Sequence, residues 1–239
     1  KICFFLLKFL NHILFYKTKK KFKNIKEFNK YKSTNGCLYF FKYNNKEIVS
    51  FIKGMDYFKT FQNEIDSLKL LEEANKKVYP KIISYDKNKY IEESYFKGIS
   101  LDEYLKKYTL NEESSKIIIS FIIEILDDLF ENKIIHRDIR PQNIIVEECS
   151  GKISKIYLID FGFAITPSGK DLNYHNLFDR RVLKALGDHY KPSLFEFDDA
   201  VSSINMLEEI ITDVYKKFPN EMKIIENKIG RIKINSKRK

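Results

Sequence analysis

The sequence predicts an α+β fold in which a strand-rich first part with one helix precedes a larger, mainly helical part. Three observations predict it. Short strand patterns punctuated by turn residues fill residues 28–53 and 81–94, with a single helical periodicity between them. Longer helical patterns follow at 111–132 and again from Asp198. Between those two lies the stretch on which the chain is organised, residues 134–162, IIHRDIRPQNIIVEECSGKISKIYLIDFG, two short apolar strands joined by a turn. With 239 residues, 44% of them hydrophobic and 15% aromatic, the chain can bury a core as one large domain or two small lobes.

The elements follow in order. One strand leads into Ser33, Thr34, Asn35 and Gly36; a second spans 37–43, Asn44 and Asn45 turn the chain, and a third covers 47–53. Phe58, Phe61, Ile65, Leu68 and Leu71 recur at helical spacing over 56–75. A second hairpin, 81–85 and 89–94, turns at Lys87 and Asn88. Gly98 frees the chain to turn, and Ser100 with Glu103 makes a capping box for a short helix through Tyr108. In the long helix over 111–132, Ile117, Phe121, Ile125 and Leu129 form the inward face. Ile144, Ile145 and Val146 then make a strand that reverses at Ser150 and Gly151, and Ile156 to Ile159 carries Asp160 back beside Asp138. Beyond a turn at Thr166 to Gly169, helical periodicity resumes at Asp198 and Asp199 and runs through Val201, Ile204, Leu207, Ile210 and Val214, with a short tail after Phe218.

Lys and Arg outnumber Asp and Glu by 43 to 33, a formal charge of +10 that favours an anionic partner such as a nucleotide, a phosphorylated glycan or an anionic lipid. Nucleic acid, bound through the basic tails, is the weaker reading of this diffuse excess. The basic runs at 17–26 and 231–239 read equally well as solvated tails. Cys3, Cys37 and Cys149 lie far apart without CxxC spacing and support neither a zinc site nor a disulfide framework, so the expected setting is reducing and cytoplasmic. Residues 2–16 are apolar but interrupted by Lys8, Asn11 and His12, and at about 15 residues fall short of the roughly 20 needed to span a bilayer. Two readings stand equal: an interfacial anchor that uses residues 2–26 on the inner face of an anionic membrane, or a helix packed on the first lobe. No small-residue cleavage site follows, against a signal peptide, and the chain opens on Lys1 rather than Met, consistent with a start further upstream.

Asp138, Asn143 and Asp160 thus converge at the ends of two paired strands. Two acids and an amide so placed suit phosphoryl transfer, where the protein holds Mg²⁺ on a triphosphate and positions an attacking hydroxyl. Acids that merely cap turns would account for neither Asn143 nor the basic Arg140. His136, Arg137 and Asp138, then Pro141 and Asn143, then Asp160, Phe161 and Gly162, resemble the catalytic loop and metal-binding DFG of the protein-kinase family.

That resemblance implies a two-lobed protein-kinase-like fold: a small antiparallel-sheet lobe over 27–94, a reduced, mainly helical lobe over 95–230, an extension over 1–26 and a basic tail over 231–239. It implies that the first hairpin covers ATP, with the turn ending at Gly36 in place of a glycine-rich loop and the Ser33 and Thr34 hydroxyls as added donors. Lys53, held by Glu64, pairs with the α and β phosphates, and the backbone around Glu92, Glu93, Ser94 and Tyr95 reads the adenine edge. Asp160 and Asn143 bind Mg²⁺, Asp138 is the base, and Arg140 takes the place of the catalytic-loop lysine. His136 packs rather than reacts, and Asp198 or Asp199 accepts backbone N–H bonds from the catalytic loop.

The activity so implied is transfer of the γ-phosphoryl group of ATP to a hydroxyl. For the acceptor, the missing APE motif, the short second lobe and the basic, aromatic N-terminus point to a lipopolysaccharide-type glycan or other sugar, similar to bacterial lipopolysaccharide core kinases. Arg137 and Phe161 point instead to a Ser/Thr protein kinase. The glycine-poor loop alone favours a pseudokinase that serves as a binding module.

Overall fold

The computed structural model describes residues 25–33, 36–43, 46–51, 58–86, 90–167, 169, 171–231 and 233–237. Lys53, Thr34, the turns at Asn44–Asn45 and Lys87–Asn88, Ser168 and the apolar stretch 2–16 lie outside these residues.

Five strands make one antiparallel sheet: β1 (Ile25–Ser33), β2 (Gly36–Tyr43), β3 (Lys46–Phe51), β4 (Ile82–Asp86) and β5 (Tyr90–Ser94), in the order β1-β2-β3-β5-β4. Helix α1 (Phe58–Glu73) connects β3 to β4 and buries Phe61, Ile65, Leu68 and Leu71, as their spacing predicts. The inter-lobe segment differs from the expectation. β5 continues through Ser94, which pairs with Ile48, donates its N–H to the Lys81 carbonyl at 2.9 Å and accepts the Lys81 N–H at 2.9 Å. Glu92, Glu93 and Ser94 are therefore strand residues, and the connection is 95–98.

The second lobe opens with β6 (Ile99–Ser100) and α2 (Leu101–Lys107), whose first turn is capped by Ser100 Oγ accepting the Glu103 N–H. At Gly98 the constraint is space. A Cβ there would stand 2.4 Å from the Val146 carbonyl oxygen, so only glycine lets the chain pass. The central helix α3 (Glu112–Glu131) starts in a reciprocal cap between Asn111 and Ser114. Its buried face carries Ile118, Ile122, Ile125, Leu126 and Leu129, while Ile117, expected inside, is only partly buried. The run Ile117, Ile118, Ile119 is continuously apolar, so tertiary packing rather than pattern picks the inward residue.

Strands β7 (Ile144–Cys149) and β8 (Lys152–Leu158) pair with β6 in a second sheet. Ser150 and Gly151, with φ of 54° and 78°, form the two-residue left-handed turn that matches strand twist. Further on come α4 (Leu177–Ala185), β9 (Glu196–Asp198), α5 (Asp199–Ile210), α6 (Val214–Lys217), α7 (Pro219–Glu226) and β10 (Lys233–Asn235). The helix expected to reach Val214 breaks at Ile211, ahead of Asp213 with φ 56°. The chain beyond Phe218 is more than a tail. α7 buries Met222 and Ile225, and β10 pairs with β9. No helix among the described residues is long and apolar enough to cross a membrane.

Candidate active site

The loop that carries Asp138 is fixed from the N-terminus of α5. Asp199, fully buried, accepts the backbone N–H of His136 at 2.7 Å and of Arg137 at 2.9 Å. Burial pushes its carboxyl up to about 7, against the pull of those two amides. Asp198 instead caps α5 through the Ala200 and Val201 amides and takes the Gly230 N–H. Of the two acids the sequence offered for the anchor, it is Asp199.

His136 is wholly buried. Its Nε2 lies 3.1 Å from the Ile159 carbonyl and its Nδ1 accepts the Asp138 N–H at 3.3 Å, which assigns the neutral ring with hydrogen on Nε2. Burial lowers its pKa to about 4. The ring meets Phe161 edge-on at 4.7 Å, and Phe161 meets Tyr79 edge-on at 5.7 Å. This column, with α1 packed against the Phe161–Phe163 turn, sets Phe161 and hence its neighbour Asp160.

Asp138 is 3% exposed. Its Oδ1 accepts the Gly187 N–H at 2.7 Å; its Oδ2 accepts Asn143 Nδ2 at 2.8 Å and faces the Arg140 guanidinium at 3.3 Å. Desolvation raises its pKa, Arg140 opposes that most strongly, and the charge of Asp160 adds to the rise. The two acids are therefore neighbours electrostatically. They are also linked mechanically, since the Ile159 N–H donates to the Asn143 carbonyl at 2.9 Å. Asp160 sits in the left-handed region (φ 66°) with its carboxylate exposed at the start of a short turn, Phe161–Phe163.

The donor set fits Mg²⁺. Asn143 Nδ2 is spent on Asp138, so its carboxamide oxygen and the exposed Asp160 carboxylate are the hard oxygen ligands offered. No cluster of three or more His, Cys, Asp or Glu forms a metal cage among the described residues. A magnesium ion that keeps waters and takes phosphate oxygens needs only one or two protein oxygens.

Arg137 completes the loop. It is 1% exposed, donates from Nε to the Phe163 carbonyl and from Nη1 to Asp171, both at 2.7 Å, and lies over the Phe197 ring. The segment after Asp160 is thereby tied to the residue beside Asp138.

The protein kinase domain family matches residues 26–178. The chain belongs to this family. It is similar to serine/threonine-protein kinase D of Synechocystis sp., 36% identical over 107 residues, which cover 44% of this chain and 20% of that protein. Serine/threonine-protein kinase B of the same organism is 38% identical over 87 residues (35% and 15% coverage), and serine/threonine-protein kinase CAK1 of Saccharomyces cerevisiae is 40% identical over 97 (39% and 26%). The matched stretches thus span only about a quarter or less of these relatives' lengths.

In this protein kinase fold Glu64 is buried on α1, while Lys53, its expected partner, falls outside the described residues. Gly36 pairs with Ser33 at the β1–β2 end. Glu93 is buried in β5 opposite Val49. Sequence reading missed Gly187, Asp171 and Lys191. None has a periodic or motif signal, because each acts through a backbone group or a partner distant in sequence.

Proposed function

We propose that the chain is a serine/threonine-type protein kinase that moves the γ-phosphoryl group of ATP to a protein hydroxyl. The observation that carries this is the Asp138 carboxylate, oriented by Gly187 and Asn143, with Asp160 as its exposed acidic neighbour. Asp138 accepts the proton of the acceptor hydroxyl, a contribution of about 10² to 10⁴ in rate. Arg140, partly exposed beside it, offsets charge on the transferred group. Asp160 and the Asn143 oxygen are the residues that would hold Mg²⁺, which would supply neutralisation of phosphate charge. In this reading Lys53, with Glu64 as its partner, aligns the α and β phosphates, the β1–β2 turn that ends at Gly36 covers the nucleotide, and the backbone just after Glu93 meets the adenine.

The named relatives favour a protein acceptor over the lipopolysaccharide-type glycan, and α4, α7 and β10 fill out a second lobe that the sequence made look shorter. The presence of Asp138, Asn143 and Asp160 together argues against a pseudokinase. An anionic membrane surface for residues 2–26 is a separate proposal that rests on the aromatic and basic composition of that segment.

The test is γ-labelled ATP with protein acceptors set against purified glycolipid, scored for where label lands. Asp138→Ala should keep Mg·ATP-dependent thermal stabilisation and lose turnover; Asp160→Asn should weaken both. Transfer at the wild-type rate by both variants would overturn the assignment.

A further inference from the structure

Lys191 is a buried cation that forms no ion pair with a carboxylate among the described residues. Only 8% exposed, its ammonium donates to the carbonyls of Leu183 at 3.3 Å, Lys184 at 2.7 Å and Leu186 at 2.5 Å. Three donors thus meet three acceptors, at the C-terminal end of α4 where a positive charge is favoured. A second face of the ammonium lies 5.5 Å over the Phe197 ring, the ring that also takes Arg137.

The residue that leaves this capped helix end is Gly187, with φ 70°. A Cβ there would stand 3.1 Å from the Arg137 carbonyl and 3.2 Å from Lys191 Cβ, so the backbone conformation favours glycine and the space leaves a side chain little room. Its N–H points at Asp138 Oδ1 at 2.7 Å. On the far side, Tyr190 is held to α5 through its carbonyl, which accepts Asn205 Nδ2 at 2.7 Å, and through its hydroxyl, which donates to Glu209. The same helix begins with Asp199, which fixes the other end of the catalytic loop.

We propose that Lys191 is a positioning residue for the phosphotransfer: by gathering the last carbonyls of α4 it fixes Gly187, whose amide then sets the rotamer of the Asp138 carboxylate. This rests on Asp138 being the base of the proposed reaction. A hydrogen bond of 2.7 Å to one carboxylate oxygen, with Asn143 on the other, leaves a single orientation. A shift of the helix end by about 1 Å would release the carboxylate, and misplacement on that scale costs up to roughly 10²-fold in rate.

Leu186–Gly187 is the sole Leu-Gly pair among the eight glycines, so carbonyl-labelled leucine with ¹⁵N-glycine isolates one amide signal. In the wild type that proton should be strongly deshielded and slow to exchange, and Asp138→Ala should remove both properties. Lys191→Met should do the same with Asp138 intact, and should lower kcat up to roughly 10²-fold while KM for ATP changes less than about threefold. An unmoved Gly187 signal in Lys191→Met overturns the proposal, and so does a rise in kcat, which would make the contact a block. Should Lys191→Met fail to fold, Lys191→Gln, which keeps donors for at most two of the three carbonyls, should still shift the Gly187 signal and lower kcat, each by less; a signal unmoved there overturns the proposal as well. If the wild type phosphorylates no acceptor, the proposed function fails, and the Gly187 signal still decides whether Lys191 sets this amide.

Discussion

Asp171→Ala tests how much the segment after Asp160 depends on a buried charge pair. Arg137 has no exposed side-chain area and Asp171 has 9%, at 2.7 Å. Loss of the carboxylate leaves a guanidinium that cannot shed its proton in a desolvated site, and breaking such a pair costs about 3–5 kcal/mol. What remains to Arg137 is the Phe163 carbonyl and the face of Phe197, the latter worth about 0.5–2 kcal/mol and already present before the change. Asp171 also accepts the Leu172 N–H at 2.7 Å, so the loop loses a second tie. The reverse deletion, Arg137→Met, should cost less, because Asp171 can turn toward water. Since Arg137 Nη2 has no hydrogen-bond partner among the described residues, the double variant forfeits little more than the worse single. In urea followed by far-UV circular dichroism, Asp171→Ala should lower the midpoint by about 1–2 M for a slope near 2.5 kcal/mol/M. The double-mutant cycle should return a coupling of about 2 kcal/mol or more. A single variant within about 1 kcal/mol of wild type, or a coupling near zero, would refute the reasoning.

Two further outcomes concern the column beneath Asp160. His136 has a folded pKa near 4 against an ordinary 6.5, so the unfolded chain binds the extra proton between those values. Its contribution is complete above pH 6.5 and is lost as pH falls toward 4, a loss of about 3 kcal/mol. Asp199, raised from 3.8 to about 7, slopes the other way, its contribution declining as pH rises. The measurement is therefore the difference in unfolding free energy between wild type and His136→Leu, which should narrow on going from pH 7 to 4.5; a constant difference refutes the neutral buried ring. Phe161→Ala should cost about 3–5 kcal/mol by opening a cavity between His136 and Tyr79, and Phe161→Leu about 1 kcal/mol. Equal losses in urea unfolding would mean that the ring does not fill this column.

What was legible in the sequence was local. The β7–β8 hairpin is written in β-branched runs around Ser150 and Gly151, and α3 in its apolar period and Asn111 cap. The choice between Asp198 and Asp199 was not, because both open the same helix and only the packed loop shows which carboxylate turns inward. Ile117 and Ile118 pose the same problem within an unbroken apolar run. α7 and β10 hide in a lysine-rich stretch whose few apolar residues, Met222 and Ile225 among them, find partners only once α3 and α5 are in place. Asp171 is one acid in a loop until Arg137 is seen buried against it.

The site itself divides along the same line. Asn143 reaches Asp138 from five residues away, within the motif. The other constraints come from afar: Gly187 is 49 residues from Asp138, and Asp199 lies 62 and 63 residues from the amides it holds. The family match ends at residue 178, before Gly187, Lys191 and Asp199. Residues 26–178 therefore contain every group assigned to substrate in the proposed reaction, and Asn143, but not Gly187, Lys191 or Asp199. A catalytic carboxylate can be read from a motif, but its direction depends on the second lobe closing back on the loop.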